Sequence, residues 1–310
     1  MRLRLLAALV AGAAALAGCG LGAGKNQGGG ADLRVTRDFG QRQIADAKRD
    51  SVREGDTVMR FLQSERKVSL RYGGGFVQSI DGLTGRGATG SRDWFYWVNG
   101  KEGSVGAADR KLNPGDVVQW DYRDWSATMS IPAIVGAFPE PFLHGVGGKK
   151  QPVRLECANG NAPACNTARD KLSAAGIVAP SGALGTAERG QVARVLVGPW
   201  SDLRGLHVLH VIEQGPQASG VFARFAQNGA RLDLLDARGH VAERAGPGTG
   251  LVAAVHIRDE ESIVFIVTGT DAAGVESAVQ ALTPDKLRDA FAVTTRGAAV
   301  QKLPLAAGAR

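Results

Sequence analysis

The sequence predicts an α+β protein, a small strand-rich N-terminal domain gathered on one helix and then an α/β domain with a mixed sheet. Three observations carry that reading. Between residues 32 and 126 apolar and polar residues alternate in several short stretches, whereas helical spacing occurs once, at Val58, Phe61 and Leu62. Asn99-Gly100, Pro114-Gly115-Asp116 and Asn228-Gly229 are turn sequences, and 43 glycines in 310 residues favour turns over a helical bundle. From residue 152 to 305 helical and strand patterns alternate at both ends of a β-meander. With 44% hydrophobic residues the chain is too apolar for disorder, and beyond the N-terminus no run approaches the ~18 apolar residues of a membrane span.

Residues 1–18 read as an export signal. Arg2 and Arg4 precede an apolar stretch from Leu5 to Leu16 and a small-residue site. Leu16-Ala17-Gly18-Cys19 resembles the bacterial lipobox, which implies lipidation of Cys19 and attachment to the extracytoplasmic face of a cell membrane. Gly20 to Ala31 is glycine-rich and reads as a tether, so residues 19–31 are expected to be anchor and flexible linker. Net charge is +7, but basic residues are scattered, and an exported chain without a basic run is not expected to bind nucleic acid.

The first domain, residues 32–126, opens with the alternating strand Leu33 to Arg37. Gln43 to Lys48 supplies a second strand, and Asp56 is the expected N-cap of a helix over Thr57 to Leu62. Val68 to Tyr72 alternates again and runs into Gly73-Gly74-Gly75, which a strand tolerates at a bend or a close approach. Trp94-Phe95-Tyr96-Trp97-Val98 is an aromatic strand entering the Asn99-Gly100 hairpin, and Val117 to Tyr122 follows the Pro114-Gly115 turn. This order fits a grasp-like sheet wrapped on one helix. The Gly55-Asp56 helix, Phe76 to Leu83, Trp94 to Gly100 and Gly115 to Tyr122, in that order, resemble the transcobalamin C-terminal-like domain, a β-grasp-type module of bacterial surface proteins, over roughly Leu33 to Trp125. The resemblance implies a small β-grasp fold and cobalamin or a related solute as ligand. In vitamin B12 carriers the module closes over a corrinoid held by a large helical domain, and nothing in this chain resembles that domain.

Side chains alternate across a strand, so Trp94 and Tyr96 face one way and Phe95, Trp97 and Asn99 the other. Trp120 and Tyr122 are likewise opposed to Gln119 and Asp121. Beside the triple glycine, Tyr72, Gly74, Phe76, Trp94, Tyr96, Trp120 and Tyr122 form the candidate ligand site, where aromatic faces would stack on a flat ring or sugar. The competing reading is that these rings fill the core and brace the sheet.

Residues 127–151 hold Pro132, Pro139, Pro141 and several glycines and read as a packed linker, because Ala133 to Val135 and Phe138 are too apolar for solvent. The second domain, residues 152–305, carries no motif that identifies a family. Its expected strands are Val153 to Cys157, Gln191 to Val197, Gly220 to Phe225, Arg231 to Leu235, Leu251 to Ile257, Ile263 to Val267 and Phe291 to Thr294. Its expected helices are Asn166 to Ala175, one starting near Pro199 with Ser201 as cap and running to Gly215, and one capped at Gly269 to Asp271 and running to Leu282. With Cys19 lipidated, Cys157 and Cys165 are an even pair flanking a turn sequence, expected as a disulfide in an oxidising compartment.

Catalytic signatures are missing. There is no Gly-x-Ser-x-Gly elbow, His-Glu-x-x-His or phosphate loop, so no enzyme activity and no cofactor are expected. His207, His210 and Glu213 share helical spacing but are expected as surface residues and not as a metal site. Thr268 to Asp271 leads into a helix N-terminus where Asp271 is expected to cap, and Gly246 to Gly250 lacks dinucleotide spacing. The leading expectation is a non-catalytic envelope lipoprotein that binds a small solute and delivers it to a membrane transporter. An envelope interaction module is the alternative. A hydrolase in the second domain would need a Ser or Asp paired with His144, His207, His210, His240 or His256.

Overall fold

The structure, a computed structural model, describes residues 24–87, 90–187, 192–257 and 262–306, and the expected signal sequence and Cys19 lie outside them. The fold is α+β, as the sequence predicts. The first unit comprises β1 (Ala31–Arg37), β2 (Arg42–Arg49), α1 (Val58–Glu65), β3 (Val68–Arg71), β4 (Phe76–Ile80), β5 (Leu83–Thr84), β6 (Arg92–Val98), β7 (Lys101–Glu102) and β8 (Val117–Asp124). Its main sheet has the order β2-β1-β8-β6-β7, with β1 and β8 parallel and every other pair antiparallel. Strands β3, β4 and β5 make a separate small sheet.

Helix α1 buries Val58, Met59, Phe61 and Leu62 against the face that carries Trp94, Tyr96, Val98, Trp120 and Tyr122. Its N-cap is Thr57, whose hydroxyl accepts from Arg60 N, and not Asp56. Asp56 instead accepts from Arg53 N and the Arg49 guanidinium, so two bonds hold it outside the helix. The expected tether is also corrected in part. Gln27 N donates to Val52 O, Val52 N to Gly29 O and Gly115 N to Gly30 O, so the chain from about residue 25 is tied to the module by its backbone.

The second unit comprises β9 (Val153–Cys157), α2 (Pro163–Ala174), β10 (Ser181–Ala183), β11 (Ala193–Pro199), α3 (Trp200–Leu203), α4 (His210–Glu213), α5 (Pro216–Ser219), β12 (Ala223–Ala226), β13 (Arg231–Leu235), β14 (Val241–Ala245), β15 (Thr249–Val255), β16 (Val264–Gly269), α6 (Ala272–Gln280), α7 (Pro284–Leu287), β17 (Ala292–Arg296) and β18 (Ala299–Leu303). A mixed sheet runs β10-β9-β11-β16-β15-β17-β18, parallel across its first four strands and antiparallel across the rest, while β12 to β14 form a separate meander. Alternation along β16 sends Phe265 and Val267 to the α2 and α6 side and Val264 and Ile266 to the other. Cys157 at the end of β9 is bonded to Cys165 on α2, the expected disulfide. The single helix expected from Pro199 to Gly215 is broken into α3, a 3-10 turn at His207–Leu209 and α4, and Ser201 does not cap it. Gly205, the residue costliest to fix in a helix, lies in the break.

The linker is core. Ile131, Ala133, Ile134, Val135, Ala137, Phe138 and Phe142 are buried, and all but Ala137 are divided between the two clusters that flank the second sheet. Ile134 N donates to Gly100 O and Val135 N to Phe291 O, so this segment is wedged between the two units. The far face of the first sheet is covered in the same way. Trp97 meets Phe291 at 4.9 Å between ring centroids, and Phe39 meets Phe222 and Phe291 at 5.0 and 5.4 Å. Arg34 donates to Gly136 O at 2.6 Å and lies 3.5 Å from Asp289, while Gln119 Nε2 donates to Asp289 O. Arg123 is buried with its guanidinium 3.9 Å from the Phe95 ring centre and donates to the carbonyls of Thr128 and Met129. Burial lowers the pKa of Arg123 to about 10.

Asp121 is fully buried at this joint and accepts from Thr36 Oγ1, Phe39 N and Gly40 N. Burial pushes its carboxyl up to about 6, against the pull of those donors. The folded chain thus holds the proton more tightly than the unfolded chain, so this contribution to stability is complete at low pH and is lost as pH rises through about 6. Burial shifts Asp116 and Asp289 the same way, whereas at Asp124 burial is outweighed by donors from Ser126 and Ser91 and its pKa falls. The urea midpoint is therefore expected to fall between about pH 5 and about pH 7, with the Asp121 carboxyl carbon titrating near pH 6 by NMR. A midpoint that rises across that window would contradict this account.

Candidate ligand-binding cleft

Strands β6 and β8 place Trp94 opposite Tyr122 and Tyr96 opposite Trp120. The rings meet at 5.3 and 5.1 Å between centroids, the cross-strand aromatic pairing that stabilises a sheet. Their polar ends fix neighbouring elements. Trp94 Nε1 donates to Leu83 O and the Tyr122 hydroxyl to Thr84 O, which pins β5, and the Tyr96 hydroxyl donates to Val105 O at 2.6 Å, which pins the loop after β7. Burial raises the Tyr96 pKa to about 12, so the phenol stays a donor at ordinary pH. Trp120 Nε1 is buried without a hydrogen-bond partner among the described residues.

Over these rings opens a cavity of about 900 Å³. Trp94, Tyr96 and Trp120, all below one-tenth exposed, line it together with Met59 of α1. One wall is the turn between β3 and β4, carrying Tyr72, Gly75 and Phe76, and another is the loop from Gly103 to Ala107, with Trp125 and Met129 also lining the cavity. Tyr72 is 82% and Phe76 66% exposed, and their rings meet edge to face at 5.8 Å. The turn carries Tyr72, Gly73 and Gly74 at φ of 51°, 69° and 102°. That left-handed run is easy for the glycines and costly for the tyrosine.

Five of the seven expected ligand residues, Tyr72, Phe76, Trp94, Tyr96 and Trp120, thus surround one cavity. Gly74 lies in the turn but does not line the cavity, and its neighbour Gly75 does. Tyr122 stands behind Trp94, with the Arg92 guanidinium 5.0 Å from its ring centre. The same side chains are thus core on one side and cavity lining on the other. Sequence reasoning missed Val105 and Met129, exposed apolar residues that reach the cleft from loops. The signal for Val105 is a lone apolar residue between Gly103 and Gly106 beyond a hairpin.

The other sequence candidates lie elsewhere. His207 and His210 rings meet at 5.6 Å, but Glu213 is engaged by Arg204, and no group of three or more metal-ligating side chains occurs among the described residues. Asp271 caps α6 through Gly274 N and also accepts from Gly248 N, so a carboxylate already occupies that helix N-terminus. His144 bonds Glu140 and His240 faces Asp236 at 3.6 Å, and neither pair lines the cleft.

Residues 55–124 match the family described as a domain of unknown function, DUF4430. The match runs from just before α1 to the end of β8 and leaves out β1, β2 and the second unit. No curated protein matches the chain. A solved structure from Ruminococcus gnavus, described as a candidate metal-binding protein, is 13% identical over 31% of this chain and 97% of its own, with a TM-score of 0.25. At that score the likeness carries nothing over to this chain.

The loop after β7 can sit on Tyr96 only because residue 103 is glycine, since a Cβ there would lie 2.1 Å from the phenol Cζ. Gly103→Ala is expected to destabilise the protein by about 2 kcal/mol, as overpacking does, measured by urea unfolding. Gly160→Ala, where nothing lies within 4 Å of the added carbon, is expected to leave stability unchanged.

Proposed function

We propose that the chain is an extracytoplasmic, lipid-anchored binding protein whose first unit holds a small, flat, largely apolar ligand in this cleft without chemically changing it. One observation carries the reading. Among the described residues six large hydrophobic side chains are exposed, and four of them, Tyr72, Phe76, Val105 and Met129, surround this one cavity. Scattered exposed apolar residues are ordinary, whereas a cluster rimming a concave aromatic floor is what ligand sites look like. A volume of about 900 Å³ falls within the ~300–1,000 Å³ that such sites span. The disulfide supports an oxidising compartment, and the lipobox-like Leu16 to Cys19 supports anchorage at the membrane, with delivery to a membrane transporter as the biological role. The resemblance to the transcobalamin C-terminal-like module makes cobalamin and related solutes the first compounds to try.

Isothermal titration of the purified protein against cobalamin and a panel of flat aromatic solutes is expected to give saturable binding for at least one. The double variant Tyr72→Ser, Phe76→Ser, which alters exposed side chains and leaves the floor intact, is expected to weaken it about tenfold through lost ring contacts. Binding unaffected by the double variant, or no binding of any compound at millimolar concentration, would overturn the cleft assignment. Anchorage is tested separately. In a bacterial host, Cys19→Ala is expected to move the protein from the membrane to the soluble exported fraction, and an unchanged membrane fraction would refute lipid attachment at Cys19.

A further inference from the structure

We infer, on the basis of the cleft reading above, that the ligand this cleft prefers carries positive charge and is a flat organic cation such as a protonated or quaternised nitrogen heteroaromatic. The chain as a whole is basic, at +7, yet the ionisable residues lining the cleft are Arg71, Asp93, Glu102 and Asp109, an acid excess that runs against the global balance. Glu102 is committed elsewhere. It accepts from Ser130 Oγ and Ile131 N and lies 3.9 Å from the buried Arg123.

Asp93 and Asp109 are not neutralised in this way. Among the described residues the Asp93 carboxylate accepts the amide of Trp94, at 3.0 Å, and no other donor, and Asp109 makes no side-chain hydrogen bond or ion pair. They border the same cavity as the rings of Tyr72, Phe76, Trp94, Tyr96 and Trp120, Asp93 from the Phe95 side of β6, and the π faces of those rings are electron-rich and attract cations. An anionic ligand would have to approach two carboxylates that carry no cation, Asp93 half-buried and Asp109 exposed at the mouth, and a neutral ring would gain less from them than a cation. Arg71 is the one basic residue among those lining the cleft, and Arg110, next to Asp109 in sequence, acts on the Tyr96 phenol from outside the lining. Arg71 sits at the end of β3 next to Tyr72 and the glycine turn, paired with Phe76 on β4, whereas Asp93 and the rings of Trp94 and Tyr96 are carried by β6. A flat cation satisfies both halves of the site at once, its face on the rings and its charge toward Asp93 and Asp109.

Three probes of one shape test this on the purified protein at neutral pH, namely quinoline, its N-methyl cation and its carboxylate, quinaldate, with binding read by quenching of tryptophan fluorescence. N-methylquinolinium is expected to bind about tenfold more tightly than quinoline, and quinaldate more weakly than either. Asp109→Asn is expected to weaken the cation severalfold and leave quinoline unchanged, while Arg71→Gln is expected to strengthen the cation, an opposite sign that a misfolded variant would not produce. Added salt is expected to weaken only the cation. Equal affinity for quinoline and its cation, or tighter binding of quinaldate, would overturn the charge preference and leave the cleft reading standing. Binding of none of the three, with none of the compounds in the solute panel binding either, would overturn both.

Discussion

Strand β6 is aromatic on both faces, and burying both of them is the constraint on which the rest of the structure depends. Trp94 and Tyr96 face α1, while Phe95 and Trp97 face the other way. A small sheet on one helix has cover for one face only. The second face also carries Arg34, Gln119, Asp121 and Arg123, which cannot be buried without partners. Asp121 finds its donors within the first unit, at Thr36, Phe39 and Gly40, but the others depend on the chain beyond it, as Gly136 O and Asp289 for Arg34, Asp289 O for Gln119, and the Thr128 and Met129 carbonyls for Arg123. The second unit and the wedge from residue 131 to 142 are therefore structural requirements of the first sheet. This also explains why the proline-rich segment is so apolar, since it supplies the third side of a shared core.

That joint has a consequence for the cleft. With one face of β6 and β8 packed against the second unit, the rings on the opposite face rest on a close-packed backing, and the polar ends of Trp94, Tyr122 and Tyr96 are tied to Leu83, Thr84 and Val105. A site whose floor is fixed before the ligand arrives loses less entropy on binding than one assembled around it. The walls differ from the floor. The turn from Tyr72 to Gly75 meets little, with no atom within 4 Å of a carbon built on Gly73, so it can adjust to what the floor holds.

Much of the first unit was legible in the sequence because its signals are local. The alternation in Trp94 to Val98 and the Asn99-Gly100 pair, with φ of 52° and 79°, fixed a strand and a hairpin without reference to anything distant. The cap moved by one residue because Asp56 and Thr57 are both good caps, and the choice depended on Arg49, which the helix pattern does not contain. Which aromatic face stays open was not legible, since Phe222 and Phe291, which cover Phe39 and Trp97, lie well over a hundred residues away. For the same reason the cleft was seen as its rings and not as its rim. Val105 and Met129 carry no pattern of their own, and only the fold brings them together.

The rim is the part of the molecule that folding alone does not account for. Tyr72 holds a backbone conformation that costs a non-glycine residue of order 1 kcal/mol or more, and it does so while remaining 82% exposed, so little burial offsets the cost. Phe76 adds a second large ring to solvent and contacts Tyr72 edge to face. Neither belongs to any of the three buried clusters. A polar turn of the same length would close β3 onto β4 at less cost. What the two rings do that a polar turn does not is extend the aromatic surface of Trp94, Tyr96 and Trp120 outward past the sheet, to where a bound molecule would lie. Their expense in the free protein is thus of the kind that is recovered on binding, when the rings leave water and cover a second face of whatever rests on the floor.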